Sequence, residues 1–159
     1  MKMAFVALKS VVLGGAFLWL WSWVALSLAR FDGRLGGPLA DWTRFAGFTA
    51  LAAGGALAAW CVGAFVVKGH GTPAPFDSPT RFVAVGPYRH VRNPMCIGGA
   101  CLLLGLGLSQ RSPSMVLFVP AWWLLAHALV VLHEEPALRR RFGPEYEIYV
   151  RRTPRWIPR

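Results

Sequence analysis

Residues 95–132 read MCIGGACLLLGLGLSQRSPSMVLFVPAWWLLAHALVVL. Two runs without a charged residue, Met95–Leu108 and Pro113–Leu132, flank the polar turn SQRSPS. Apolar runs joined by so short a turn predict a helical hairpin with antiparallel arms. At 1.5 Å per residue the second arm is about 30 Å long, the thickness of a bilayer core. The first arm has 14 residues, short for a span, and is read as one through its pairing with the second.

Two further uncharged runs lie upstream, Ser10–Ala29 and Phe45–Val67. The chain has 159 residues, of which 55% are apolar and only 15% charged, a composition too oily for an ordinary soluble domain. An all-α integral membrane bundle of about four transmembrane spans is therefore predicted. Ser27–Ala29 resembles the small-residue end of a signal peptide, but the run before it is too long for one. Its three tryptophans suit a retained anchor. Residues 1–159 read as one domain, with two spans in 1–67 and a loop, the hairpin and a tail in 68–159.

The net charge is +10, with 17 Lys and Arg against 7 Asp and Glu, and its placement decides what it means. With four spans, thirteen basic residues fall on one side: Lys2, Lys9, Lys68, Arg81, Arg89, Arg92 and seven arginines after residue 138. Four fall on the other: Arg30, Arg34, Arg44 and Arg111. This is the asymmetry of the positive-inside rule, so both termini and the 68–93 loop are expected in the cytoplasm, and no nucleic-acid partner is needed to explain the charge. Nor does any feature demand an obligate protein partner. Cys61, Cys96 and Cys101 all lie in apolar runs without CxxC spacing, which argues against a disulfide framework and a zinc site. His127 and His133 are six apart, so they do not chelate from one helix face, and no metal site is expected.

Small residues recur every fourth position at Gly55, Ala59 and Gly63, and at Cys101 and Gly105, predicting close approach of the second and third helices. The loop opening KGHGTPAPFDSPT, from Lys68, carries too many prolines and glycines for a helix and is expected to lie extended at the membrane face. After the fourth run the helix continues, restarts at Pro136 and Pro144, and ends in the non-helical TPRWIP. Glu147 and Arg151 are spaced as a helical ion pair, and Tyr146, Tyr149 and Val150 share one face of an amphipathic cytoplasmic C-terminal helix.

The densest polar chemistry sits where the hairpin opens. GPYRHVRNP, Gly86–Pro94, precedes the third run, and His133, Glu134 and Glu135 follow the fourth. An antiparallel hairpin brings these ends together, setting His90, Arg92 and Asn93 opposite the acids, and ionisable groups near lipid are functional suspects. Singly, each has an ordinary explanation as topology anchor, helix-start acid or turn.

GPYRHVRNPM, the hairpin, the paired glutamates and LRRRFGPEYEIYVRRTPRWIP together resemble the isoprenylcysteine carboxyl methyltransferase and phospholipid methyltransferase superfamily, from about Gly71 to Pro158. The resemblance implies S-adenosylmethionine bound at the cytoplasmic end of the bundle and a lipophilic or lipid-anchored substrate arriving from the membrane lipid. The family's Arg-His-Pro-x-Tyr falls on Arg92, Asn93, Pro94, Met95 and Cys96, and its two glutamates on Glu134 and Glu135. Asn93 and Cys96 depart from the pattern, and the second change removes a ring and a hydroxyl. Cofactor contacts are accordingly expected from Gly86, Pro87, Tyr88, His90, Arg92, Asn93, Pro94, Glu134, Glu135, Tyr146 and Trp156. Glu135 or His133 is the expected proton acceptor where the nucleophile is an amine or thiol. A membrane NADPH-dependent reductase of related architecture and a non-enzymatic scaffold are the competing readings.

Overall fold

The computed structural model describes residues 2–64, 67 and 84–157, and among these every regular element is helical. Helix α1 spans Lys2–Leu28 and passes into a 3-10 turn, Ala29–Leu35; α2 spans Thr43–Ala64. A second 3-10 turn, Gly86–Arg89, leads to α3, Pro94–Ser109, and α4, Pro113–Leu129. A π turn, Val130–Glu134, joins α4 to α5, Glu135–Phe142, and α6 runs Pro144–Arg152. The loop expected to lie extended from Lys68 falls outside the described residues as far as 83.

Two of the described helical runs are long and apolar enough to cross a membrane, Thr43–Ala64 with 22 residues and the continuous Pro113–Phe142 with 30. The hairpin forms as expected. Its turn closes through Arg111, which adopts φ 59°, and through Ser112, whose hydroxyl caps α4 by accepting from the Met115 amide at 3.2 Å. Asp32 braces the same end, accepting from the Ser112 hydroxyl at 2.9 Å and the Ser114 amide at 3.0 Å.

Small residues let α2 and α3 touch backbone to backbone, on α3 at the expected Cys101 and Gly105 but on α2 at Gly47 and Gly54, not at the expected Gly55 and Gly63. A Cβ on Gly54 would stand 2.8 Å from the Gly98 carbonyl, and one on Gly105 would stand 2.7 Å from the Leu51 amide nitrogen. Gly47 is closed off by Ser109 in the same way, whereas Gly55 and Gly63 face open space. The seam repeats every seven residues, Gly47–Gly54 against Gly98–Gly105, because a helix returns to nearly the same face after two turns. Helix α1 closes the bundle with Trp21, whose ring lies 6.4 Å from that of Trp122 in a core shared by Ala25, Leu103, Met115 and Ala126.

Helices α5 and α6 begin at the prolines that cannot continue a preceding helix, Pro136 in the first turn of α5 and Pro144 at the start of α6. Glu147 pairs with Arg139 of α5 at 2.9 Å, not with Arg151. Between them Gly143 turns the chain with φ 49°, so α6 folds back on α5 and tertiary contact replaces the local pair.

Candidate functional site

The stretch Gly86–Pro94 is a rigid corner. Gly86 adopts φ 57°, a left-handed conformation that costs other residues, and a Cβ there would approach the Trp60 indole nitrogen to 3.1 Å. Pro87 sets the following turn and is buried with Tyr88. Tyr88 turns its ring toward α2, where its hydroxyl and the Cys61 thiol hydrogen-bond, and its carbonyl accepts from the Tyr149 hydroxyl at 2.7 Å. The Arg92 amide donates to the Pro154 carbonyl at 2.9 Å. Asn93 stands at the N-cap of α3 but does not cap it; its side-chain amide donates to the Arg155 carbonyl at 3.3 Å. Corner and tail are thus stitched together by main-chain acceptors.

Inside this corner lies a charged hub centred on Glu135, which is 3% exposed. Arg92 donates from one terminal nitrogen to its Oε1 at 2.8 Å. Arg155 donates from Nε to Oε1 at 2.7 Å and from a terminal nitrogen to Oε2 at 3.0 Å, the planar two-point grip that guanidinium makes on carboxylate. Arg139 adds an ion pair at 3.8 Å. Burial alone would raise the Glu135 carboxyl, but the Arg155 bonds and the charges of Arg92, Arg155 and Arg139 hold it below its ordinary value. Its neighbour goes the other way: burial and then the Glu135 charge raise Glu134. The π turn spreads these residues, leaving Glu135 buried, Glu134 half-buried within electrostatic reach of Cys96, and His133 exposed.

Tyr146 completes the hub. It is 2% exposed, hydrogen-bonds Arg92, and is pushed up by burial and by the Glu135 charge. The Arg92 side chain, 10% exposed, retains a buried Nε–H with no partner among the described residues. Three guanidinium groups surround one engaged carboxylate, so the hub is suited to an anion.

A groove of about 390 Å³ opens beside the hub. Leu57 and Trp60 of α2, Pro94 and Ile97 of α3, and Trp156 and Ile157 of the tail line it, with His90 among them. Trp156 donates from Nε1 to His127 Nδ1 at 3.1 Å and packs its ring 4.5 Å from that of Trp123.

The structure therefore gathers Arg92, Glu135 and Tyr146 at one point, with Asn93 and Glu134 beside it. His90 and Trp156 belong to the groove, Tyr88 packs against α2, and Gly86, Pro87 and Pro94 shape the corner. His133 is on the exposed side of its helix, two residues from Glu135 and so on another face. Sequence reasoning missed Arg155, Tyr149, Arg139 and His127. Arg155 and Arg139 were hidden in a basic tail where any arginine reads as a topology anchor. For Arg155 the available signal was its place in a proline-bounded, non-helical segment.

The sequence model of the phospholipid methyltransferase family matches residues 42–145, which takes in α2, the corner, Arg92, Glu134 and Glu135 and stops before Tyr146 and the tail. Over 80 residues the chain is 32% identical to the nickel-cobalt-cadmium resistance protein NccN of Alcaligenes xylosoxydans xylosoxydans, a match covering 50% of this chain and 37% of that protein. The chain thus spans well under half the length of that curated relative. No solved structure matches it.

Proposed function

Because the chain belongs to the phospholipid methyltransferase family, we propose that it transfers a methyl group from S-adenosylmethionine to a lipophilic acceptor, working at the cytoplasmic face of a four-span bundle. The observation that carries this reading is the buried Arg92–Glu135 hub with its unpartnered Nε–H, in which Arg92 and Arg155 are chain neighbours of Val91 and Trp156 in the lining of an apolar groove. A buried donor without a partner fits a ligand oxygen, and guanidinium groups in excess of carboxylate fit an anionic one. An amino-acid carboxylate supplies both, and the paired Glu134 and Glu135 offset the positive charges of the same donor. When bound, S-adenosylmethionine supplies an electrophilic methyl group on a sulfonium.

The chain's own work is alignment and the exclusion of water, which dominate for a reaction needing so little covalent help. Arg92 offers its unpartnered Nε–H to the carboxylate, Arg155 adds positive charge beside it, and Tyr146 holds Arg92 by a hydrogen bond. The groove takes the apolar part of the acceptor. A carboxylate acceptor needs no base. An amine or thiol must lose a proton, and here Glu135 is a weak base because its arginines stabilise its charge, while His133 is exposed. Glu134, with its raised proton affinity, is the better acceptor. The family match favours methyl transfer over nicotinamide-dependent reduction and over a scaffold.

Two measurements on the purified full chain test this: calorimetric binding of S-adenosylhomocysteine, and transfer of labelled methyl from S-adenosylmethionine into extracted membrane lipid and a prenylcysteine analogue. Lysine keeps the charge of Arg92 but has no planar fork, and so loses the unpartnered Nε–H. Arg92→Lys is therefore expected to insert normally and to weaken binding by about tenfold, or ~1.4 kcal/mol. Unchanged affinity in the inserted variant would return Arg92 to a topology anchor. Absence of binding to the unaltered chain would end the methyltransferase reading.

A further inference from the structure

Beyond α6 the chain leaves the helix at Thr153, with φ −119° and ψ 120°, and bends through residues 155–157. Arg155 and Trp156 reach different surroundings from this segment, the guanidinium entering the charged hub and the indole, with Ile157, lining the apolar groove. The tail is thus a partition, with donor chemistry on one face and the groove on the other.

The setting of Trp156 depends on one polar residue in an apolar helix. An indole N–H can only donate, so the His127 Nδ1 that receives it at 3.1 Å must carry a lone pair, and the neutral ring keeps its proton on Nε2. A histidine on a membrane-spanning helix is costly and marks a function. Nothing in the hub uses it, since its described contacts are to the Trp156 ring, 5.7 Å away, and to the indole N–H.

We propose that His127 is a positioning residue which, by fixing the Trp156 indole, sets the wall of the groove and so governs the seating there of a lipid acyl chain. Two observations name this occupant. The groove is continuous with α2, a helix of spanning length on which Trp60 is 59% exposed, so its open side meets hydrocarbon. His90 lines the groove and, like its chain neighbour Arg89, is exposed, and the positive charge of Arg89 suits a headgroup phosphate. Without its hydrogen bond the indole is free to rotate about two side-chain torsions, into the groove or away from it. The proposal rests on the methyltransferase reading for what happens at the polar end of the chain, but not for the seating itself.

The test uses the full chain in nanodiscs containing a phosphatidylethanolamine with a diazirine in its acyl chain, with crosslinks mapped by mass spectrometry. The readout is labelling at Ile97 in the groove relative to Phe48, an exposed residue of α2. His127→Leu and Trp156→Phe each delete the hydrogen bond and are expected to lower this ratio by about fivefold, the equivalent of one such bond. His127→Asn, whose side-chain oxygen can stand in for Nδ1, restores it to within about twofold. Equal ratios in all four proteins would overturn the proposal, as would an unaltered protein labelled at Phe48 and not at Ile97. Binding of S-adenosylhomocysteine, measured in parallel, reports the hub. Should His127→Leu lose that as well, its fold is damaged and Trp156→Phe decides. An unaltered protein that labels in the groove but binds no S-adenosylhomocysteine sinks the methyltransferase reading and leaves the seat standing; the converse sinks only the seat.

Discussion

Glu135 holds three chain segments at once, since Arg92 comes from the corner, Arg139 from α5 and Arg155 from the tail. Because its folded-state pKa lies below its unfolded value of about 4.3, its contribution to stability is complete above that value and is lost as pH falls through the lower, folded one. Glu134 acts in the opposite sense, for a raised carboxyl takes up its proton early and that step favours the folded form. Acidification below about pH 4 is therefore expected to loosen the tail, read as lower amide hydrogen-exchange protection over residues 153–157 after correction for the intrinsic pH dependence of exchange. Glu135→Gln should show that loosening already at neutral pH, with a stability loss of about 3 kcal/mol from stranding the buried Arg92, and should lose the acid dependence. A tail equally protected from pH 7 to 3.5 in both proteins would contradict the hub. That Arg92 and Glu135 lie at one end of the bundle was legible from their clustering at the hairpin mouth. That they bind each other was not, because each was matched in sequence to a ligand and not to its neighbour in space.

Helix α2 carries neighbouring glycines with different tasks. Gly54 meets the α3 backbone, so a methyl group there must push two helices apart, at a typical cost of about 1–3 kcal/mol for overpacking. Gly55 faces open space, so Gly55→Ala removes only the helix-weakening freedom of glycine and should raise stability by about 0.5–1 kcal/mol. Thermal unfolding in detergent is expected to move in opposite directions for Gly54→Ala and Gly55→Ala. Movement in the same direction would mean that the seam lies elsewhere. Periodicity in sequence announced that α2 approaches another helix closely. Its register was hidden, because glycines on both faces of α2 fit one small-residue pattern or another, and only the facing Gly98 and Gly105 choose between them.

For the whole molecule, orientation in the membrane has a direct reading. Reporter fusions at Arg159 and within residues 30–44 are expected on opposite sides of the membrane, the first in the cytoplasm, given thirteen basic residues on one side against four. A cytoplasmic 30–44 segment would invert the bundle and remove the hub from soluble donor. Composition, run length and charge determined by themselves that this chain is helical and apolar, that residues 94–132 fold as a hairpin, and that its polar chemistry gathers at the open end. These are local properties, written in hydrophobic runs, prolines and short turns that act within a few residues. The division of labour at that end belonged to the tertiary structure alone. Tyr88 was drawn into packing, Arg155 became the second guanidinium on Glu135, and Trp156 was fixed by His127, twenty-nine residues away. Such pairings arise because a buried charge or indole N–H must find a partner wherever the folded chain provides one, and separation in sequence does not say where that will be.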